Sequence, residues 1–302
     1  MTPEPLIERL LSRCTFYAPG TDCYAAVSGG PDSLALLVLA TAAGCNVTAI
    51  HVDHGLREGS SSEADVVRSA AERFGAEFRA ERVEISHGPN LEARARWARK
   101  AVLPEGSMTG HTADDQAETV LLNLVRGTGL DGLVAMRPGP TKPILALRRS
   151  EAEALCAEVG LTPVDDPSNR DPAFTRNRIR HEVLPLLDQI ATRDVAALTS
   201  RTASLLGDDA EFLSLLAEQI DPTDAKALAR SPLPLSRRAV RKWLSNEVPP
   251  YPPNAAAVDR VLTVANGQAN AAEVGGGVTV LRTQGRLRIE ISKTPKDYME
   301  TP

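Results

Sequence analysis

The four cysteines, Cys14, Cys23, Cys45 and Cys156, nowhere fall into C-x-x-C spacing. The local signature of a zinc ribbon, a redox dithiol or a paired cluster-ligand set is therefore missing, and scattered thiols of this kind read as inert core residues. No G-x-x-x-x-G-K-S/T occurs, which removes the Walker loop and the γ-phosphate transfer it favours. The longest apolar stretch, Leu34 to Ala43, is broken by Thr41 and is roughly half of what a bilayer span needs. The opening MTPEPLIERLL carries Glu4 and Glu8 and lacks the apolar run of a secretory leader, so a cytoplasmic chain with no membrane partner is expected. Basic residues are not in excess. With a net charge of −5, any nucleic-acid contact has to come from local clusters of Lys and Arg. There is no internal repeat and no low-complexity segment.

What is present suits a soluble α/β protein. The 302 residues, 42% hydrophobic and 24% charged, suffice for about two domains. Short apolar runs at Cys23–Val27, Asn46–Val52, Glu77–Ile85 and Ser107–Gly110 read as strands. The intervening helical patterns are Leu34–Ala43, Glu63–Phe74, Leu91–Leu103 and Asp114–Arg126. Strands alternating with helices predict an open parallel sheet joined by right-handed crossovers, with ligands at the carboxyl ends of the strands. Three of those ends carry SGGPDS, HVDHGLR and TGHTADD. Beyond a loop-rich stretch, helices fit Arg149–Val159, Phe174–Leu184, Val195–Ile220, Ser236–Asn246 and Ala255–Val264. VTVLRTQGRLRIEI reads as a hairpin turning at Thr283-Gln284-Gly285. The expected division is a nucleotide-binding domain over 1–190 and a smaller, mainly helical domain ending in that hairpin over 191–302.

Ser28-Gly29-Gly30-Pro31-Asp32-Ser33 follows the first strand and opens a helix. The glycines allow a tight turn and close backbone approach, and Pro31 fits a first helical turn. Free N–H groups at the helix start then make an anion site, to which Ser28 and Ser33 can add hydroxyl donors. Asp32 would repel phosphate unless Mg²⁺ lay between them, so it is the expected metal ligand.

Asp115 and Glu118 in GHTADDQAET are spaced i, i+3 on one helix face. They read equally as helix-capping acids and as a pair that binds an ammonium group. His51-Val52-Asp53-His54 crowds His and Asp together without the further ligands a hydrolytic metal centre needs. Gly127 to Gly132 matches G-x-G-x-x-G but follows a helix, which marks a helix C-terminal turn instead of a dinucleotide site. Arg94, Arg96, Arg99 and Lys100 share one helical segment whose default is a solvated face. Arg176, Asn177, Arg178 and Arg180 form one basic cluster. Lys226, Arg230, Arg237, Arg238, Arg241 and Lys242 form another, with no acid between Asp224 and Glu247; it suits phosphates or a merely solvated face.

SGGPDS resembles the signature of the PP-loop ATP pyrophosphatases. HVDHGLR, NLEARARWAR, GHTADDQAETVLLNLVRGTGLDGL and DDPSNRDPAFTRNRIRHEVLPLL follow in the order found in the tRNA(Ile)-lysidine synthetase family, together covering roughly residues 22 to 187. Lys100 stands where that family usually has an aromatic residue. The resemblance implies an ATP-dependent ligase that adenylates the first-anticodon cytidine of a tRNA(Ile) with a CAU anticodon and joins free L-lysine to it. It implies ATP contacts at Asp53, His54 and Arg96, lysine recognition by Asp115 and Glu118 with His111 beside the reacting centre, and tRNA contacts from the basic clusters. It also implies a short form, without the additional C-terminal domain of longer members. The sequence does not fix the oligomeric state, for which a homodimer is the working expectation. A tRNA-thiolating PP-loop enzyme would share the nucleotide site but usually needs paired cysteines, and a non-catalytic RNA-binding relic would not be expected to keep these motifs intact.

Overall fold

A computed structural model describes residues 4–53, 60–83, 94, 98–99, 101–247 and 253–291. The chain separates into two compact units, 1–207 and 208–302.

In the first unit, β1 (Asp22–Ala26), β2 (Asn46–Asp53), β3 (Glu77–Arg82) and β4 (Met108–Thr109) form one sheet in the order β3-β2-β1-β4. Every pair is parallel, and β4 joins through Ala25 opposite Met108 and Ala26 opposite Thr109. After β1 the chain moves outward to β2 and β3 and then returns to the other side of β1. The carboxyl ends of β1 and β4 therefore flank the switch point where open α/β sheets bind ligands. Expected strands and helices appear, with ends shifted by a few residues. The tail of the third predicted strand and most of the Leu91–Leu103 helix lie outside the described residues.

Helix α1 is Glu4–Leu11, and α2 spans Pro31–Ala42 with Ser33 to Ala40 all buried. A helix apolar on every side has to be enclosed. The sheet covers one side of α2, and a later helix covers another (α6, Arg149–Glu158), through Ala152, Leu155 and Cys156. That packing brings the start of α6 beside the start of α2. Between them in sequence lie α3 (Ser60–Arg73), α4 (Ala113–Val125) and α5 (Leu130–Val134). The glycine-rich 127–132 segment is the turn that follows α4 and the start of α5, with Gly127 at φ +74° and Gly129 capping α5.

The expected helix over 174–184 is interrupted. Thr175–Arg178 is α-helical (α7), Ile179–Val183 forms a π-helical turn, and α8 resumes over Leu184–Ala191. Pro185 has no N–H and its ring clashes with the carbonyl four residues back, so a widened turn is where the helix accommodates it. Helix α9 follows (Val195–Glu218).

The second unit packs α10 (Ala225–Arg230), α11 (Leu233–Glu247) and α12 (Ala255–Ala265) on an antiparallel sheet of β5 (Ala271–Gly275), β6 (Val278–Thr283) and β7 (Arg286–Ile291). Leu228, Val240, Leu244, Val261, Val280 and Leu287 fill the core, with Trp243 packed at its edge. The predicted hairpin is present, its turn set by positive φ at Gln284 and Gly285. Strand β5 extends it to three strands; its sequence, AAEVG, carries little β propensity.

Candidate active site

The phosphate loop follows β1. Gly29 has φ +89°, and its carbonyl accepts from the Val164 N–H at 2.9 Å. A Cβ there would lie 3.0 Å from Val164 Cγ2, so conformation and space both call for glycine. Gly30 caps α2 and Pro31 opens it. The hydroxyl of Ser33 accepts from the Ser28 N–H at 3.1 Å, donates to the Gly30 carbonyl at 2.9 Å and lies 3.2 Å from Ser28 Oγ. The two serines thus shape the loop, and the helix-start N–H groups remain its anion donors. Gly110, just past β4, permits the closest approach in the site: a Cβ there would sit 2.7 Å from the Asp32 carbonyl oxygen.

Asp32 stands at the start of α2. Its Oδ2 is 3.3 Å from Arg149 Nε, while Oδ1 is buried with no hydrogen-bond partner. Burial raises its pKa to about 6; Arg149 opposes the shift and Asp115 adds to it. A buried, unsatisfied carboxylate oxygen beside an anion loop fits a cation. Among the described residues no cluster of three His, Cys, Asp or Glu could hold a metal. A single carboxylate with an open oxygen is the kind of donor that Mg²⁺ would use, its shell completed by phosphates and water.

At the end of β4 the chain enters α4 through Thr112. Asp115 Oδ2 accepts from the Thr112 N–H at 2.9 Å and from its hydroxyl at 3.1 Å, a helix cap. Its Oδ1 accepts from Arg149 at 3.2 Å and Arg176 at 3.0 Å, with Arg180 at 3.7 Å. Glu118 is 0% exposed. Its Oε1 takes Arg149 Nη1 at 3.2 Å and Arg180 Nε at 2.6 Å, and its Oε2 takes Arg176 Nε at 2.7 Å and Arg180 Nη2 at 2.9 Å. A carboxylate offers about four acceptor positions, and all four of Glu118 are filled. Asp115 thus caps the helix with one oxygen, and its other oxygen is taken by arginines of this chain. Burial raises the Asp115 pKa, but Arg149, Arg176 and the Thr112 N–H outweigh it and hold the group below its usual value.

His111 Nδ1 lies 2.8 Å from Thr109 Oγ1, which also donates to the Thr141 carbonyl at 3.2 Å. With that proton placed, Nδ1 carries its own hydrogen and Nε2 is the acceptor. Burial lowers the His111 pKa to about 4, so the ring is neutral near pH 7. Asp53 ends β2, its carbonyl accepting from the Val83 N–H. Two strand residues earlier, buried His51 holds the Val27 carbonyl through Nδ1 at 3.1 Å, while its Nε2 is buried without a partner. His54, Arg96 and Lys100 lie outside the described residues.

The first basic cluster divides. Arg176 and Arg180 turn inward to the acid pair, and Arg178 turns outward to Glu182 at 2.9 Å. Asn177 is buried and clamps the preceding loop through the Ser168 and Asp171 carbonyls. In the second cluster, acids distant in sequence meet the cations. Arg237 pairs with Asp259 and Lys242 with Glu218, both at 2.7 Å, while Arg238 reaches Ser214 Oγ at 3.2 Å and Arg241 is half-buried.

Sequence reading missed Arg149, the guanidinium that touches Asp32, Asp115 and Glu118 together. It also missed Arg148, paired with Asp114 at 2.8 Å and with Asp194. A signal was present. Two arginines at the start of a helix oppose its dipole, and such local conflicts mark sites that tertiary structure uses. Gln116 was missed too; its amide holds the Val134 carbonyl and both backbone groups of Met136, all at 2.9 Å. The cysteines behave as expected of core residues. Burial raises the pKa of Cys14 and Cys23 to about 12 and that of Cys156 to about 11.

Residues 6–187 match a family model described as a PP-loop domain. The chain is 41% identical over 287 residues to the tRNA(Ile)-lysidine synthase of Nocardia farcinica, covering 87% of this chain and 90% of that one. It is 38% identical over 297 residues to the enzyme of the same name from Rhodococcus erythropolis, with 90% of each covered. Among solved structures it resembles the U34-tRNA thiolase NcsA of Methanococcus maripaludis, with TM-score 0.52 and 16% identity, over 68% of this chain and 79% of that one. That last likeness is one of fold.

Proposed function

The chain belongs to the tRNA(Ile)-lysidine synthases of the PP-loop fold, and from that premise we propose that the first unit carries both halves of lysidine formation at one centre. The enzyme is an ATP-dependent ligase. In the first half, the 2-carbonyl oxygen of the first-anticodon cytidine in a tRNA(Ile) with a CAU anticodon attacks the α-phosphorus of ATP, and pyrophosphate leaves. In the second, the ε-amine of lysine adds to the activated carbon, AMP leaves, and the nitrogen gives up a proton.

The residues divide accordingly. The N–H groups of Gly29, Gly30, Asp32 and Ser33 receive phosphate oxygens, with Asp53 beside the nucleotide. Asp32, through Oδ1, is the residue that would hold Mg²⁺, which when bound offsets negative charge on the departing pyrophosphate. Asp115 and Glu118 set the charge of the amine side. An amine of ordinary pKa near 10.4 has to lose a proton to attack. Of the three candidate acceptors, both carboxylates have their lone pairs engaged, so neutral His111 with its open Nε2 takes that role. Arg178 and the α11 cations suit tRNA phosphates.

The observation that carries this reading is Arg149. One guanidinium within 3.3 Å of Asp32, Asp115 and Glu118 makes the nucleotide side and the amine side a single charged unit. The test is ATP-dependent incorporation of radiolabelled lysine into a tRNA(Ile) transcript with a CAU anticodon, with a methionine tRNA as control. Incorporation into the isoleucine transcript alone is expected. Pyrophosphate release without lysine incorporation would leave the first half standing and remove the second.

A further inference from the structure

Strands β1 and β2 stay in parallel register up to Ala26 opposite Ile50, and the Val27 N–H then donates to the Ile50 carbonyl at 2.9 Å. The next acceptor along that edge, the Val27 carbonyl, is held by a side chain. His51, on β2 and 3% exposed, approaches it with Nδ1 at 3.1 Å. A carbonyl oxygen only accepts, so Nδ1 carries a proton. Among the described residues the other ring nitrogen, Nε2, is buried with no partner. Leaving a buried nitrogen unpaired costs free energy, and an apolar residue here would avoid that cost. The imidazole therefore stands at this position for its Nδ1–H.

What that bond fixes is a peptide plane. The Val27 carbonyl and the Ser28 N–H belong to one planar trans unit and point in opposite directions. The Ser28 N–H meets Ser33 Oγ at 3.1 Å, and that hydroxyl donates to the Gly30 carbonyl at 2.9 Å. His51 and Ser33 thus grip the two ends of the peptide at the entrance to the phosphate loop. Two further loop carbonyls are tied back, that of Gly29 by the Val164 N–H at 2.9 Å and that of Gly30 by the Leu34 N–H at 3.0 Å. Of these three carbonyls, that of Val27 alone is held by a side chain from another strand.

We propose that His51 is a positioning residue for the first half of the reaction: by holding the Val27 carbonyl it keeps the Val27–Ser28 peptide from flipping. The inference rests on the reading of this loop as the phosphate site and deepens it. A flip exchanges the two ends of the peptide and turns the Val27 oxygen toward Ser33, into the loop. A carbonyl oxygen there sets partial negative charge against an incoming phosphate. Molecules in the flipped state do not take ATP, so the apparent affinity falls with their fraction while the chemistry of the bound complex is unchanged.

Asparagine and glutamine at position 51 test this, because the Asn amide nitrogen falls near the place of Nδ1 and the Gln amide nitrogen near that of Nε2. Pyrophosphate release is followed with the whole chain, tRNA and lysine. His51→Asn should keep the wild-type KM for ATP. His51→Gln and His51→Leu should raise it about threefold to tenfold, the value of one hydrogen bond, with kcat and the KM for lysine unchanged. A general loss of packing would move all three constants together. Ser33→Ala should raise the same KM, and combining it with His51→Leu should give less than the product of the two single effects, since both act on one peptide. Equal KM values for ATP in His51→Asn and His51→Gln, or fully multiplicative effects in the double variant, overturn the assignment. If neither Ser33→Ala nor His51→Leu changes the KM for ATP, the phosphate-loop reading itself falls, and the positioning role with it.

Discussion

The two basic regions of this protein use the same residue types in opposite ways. Around Glu118, three arginines converge on a carboxylate that is 0% exposed. On α11, the Arg237–Asp259 pair has side chains 49% and 47% exposed. Exposed pairs contribute about 0–1 kcal/mol, so an incoming phosphate can take the cation at little expense. Buried pairs are costly to leave half made. One region is a fixed arrangement that orders its own groups, and the other is an exchangeable surface. Substitutions should separate them by the size of their effect on folding.

The largest effect is expected at Glu118. Removing it by Glu118→Ala leaves three guanidiniums without their shared anion and should cost about 3–5 kcal/mol in urea unfolding, together with lysine incorporation. A loss below about 1 kcal/mol would place Glu118 in the same class as the surface acids and erase the distinction.

His111 comes next, through pH. Its folded pKa, lowered by burial to about 4 from 6.5, means that the unfolded chain takes up the proton first as the solution is acidified. The neutral ring therefore contributes stability that is present above pH 6.5 and is lost progressively down to about pH 4. Between pH 7 and pH 4.5 the wild type should lose on the order of 2–3 kcal/mol more than His111→Gln. Parallel losses in both proteins would show that the ring is solvated.

Asp32 should behave in the opposite sense to Glu118, which sharpens the contrast within the buried cluster. Its raised pKa means that the ionised form is disfavoured in the fold, so stability falls as pH rises through about 6. Asp32→Asn should then stabilise the ligand-free protein at pH 7 by about 1–2 kcal/mol while abolishing pyrophosphate release. That is the signature of a group kept for function against stability. A destabilised variant would mean that its pairing with Arg149 outweighs its burial.

Local chemistry was readable from the sequence, and distant pairing was not. SGGPDS, the strand–helix alternation and the hairpin turn depend on glycine, proline and periodicity within a few residues, and the structure places them as expected. Locally Arg149 stood out only as a cation at the unfavourable end of a helix; its partners could not be found that way, since Asp32 lies 117 positions from it and the acid pair 34 and 31. For the same reason Asp259 and Glu218 were invisible beside a run of cations that contains no acid in sequence. The π-helical turn at Ile179–Val183 was legible only as Pro185, and β5 as nothing more than small residues.

The smallest folding effect belongs to α11, and there it is the binding that should move. Arg237→Ala and Lys242→Ala each remove one half-exposed pair, and each should change unfolding free energy by less than about 1 kcal/mol. If these cations contact tRNA phosphates, each substitution should weaken binding without altering which tRNA is preferred. Each should also make the dependence of log affinity on log salt shallower by about one unit. Both consequences follow from counterion release, which counts phosphates and is blind to sequence. An unchanged salt slope in the double variant would return this face to a solvated surface, held by Asp259 and Glu218 alone. The tRNA would then have to be gripped by other cations, Arg178 first among those described.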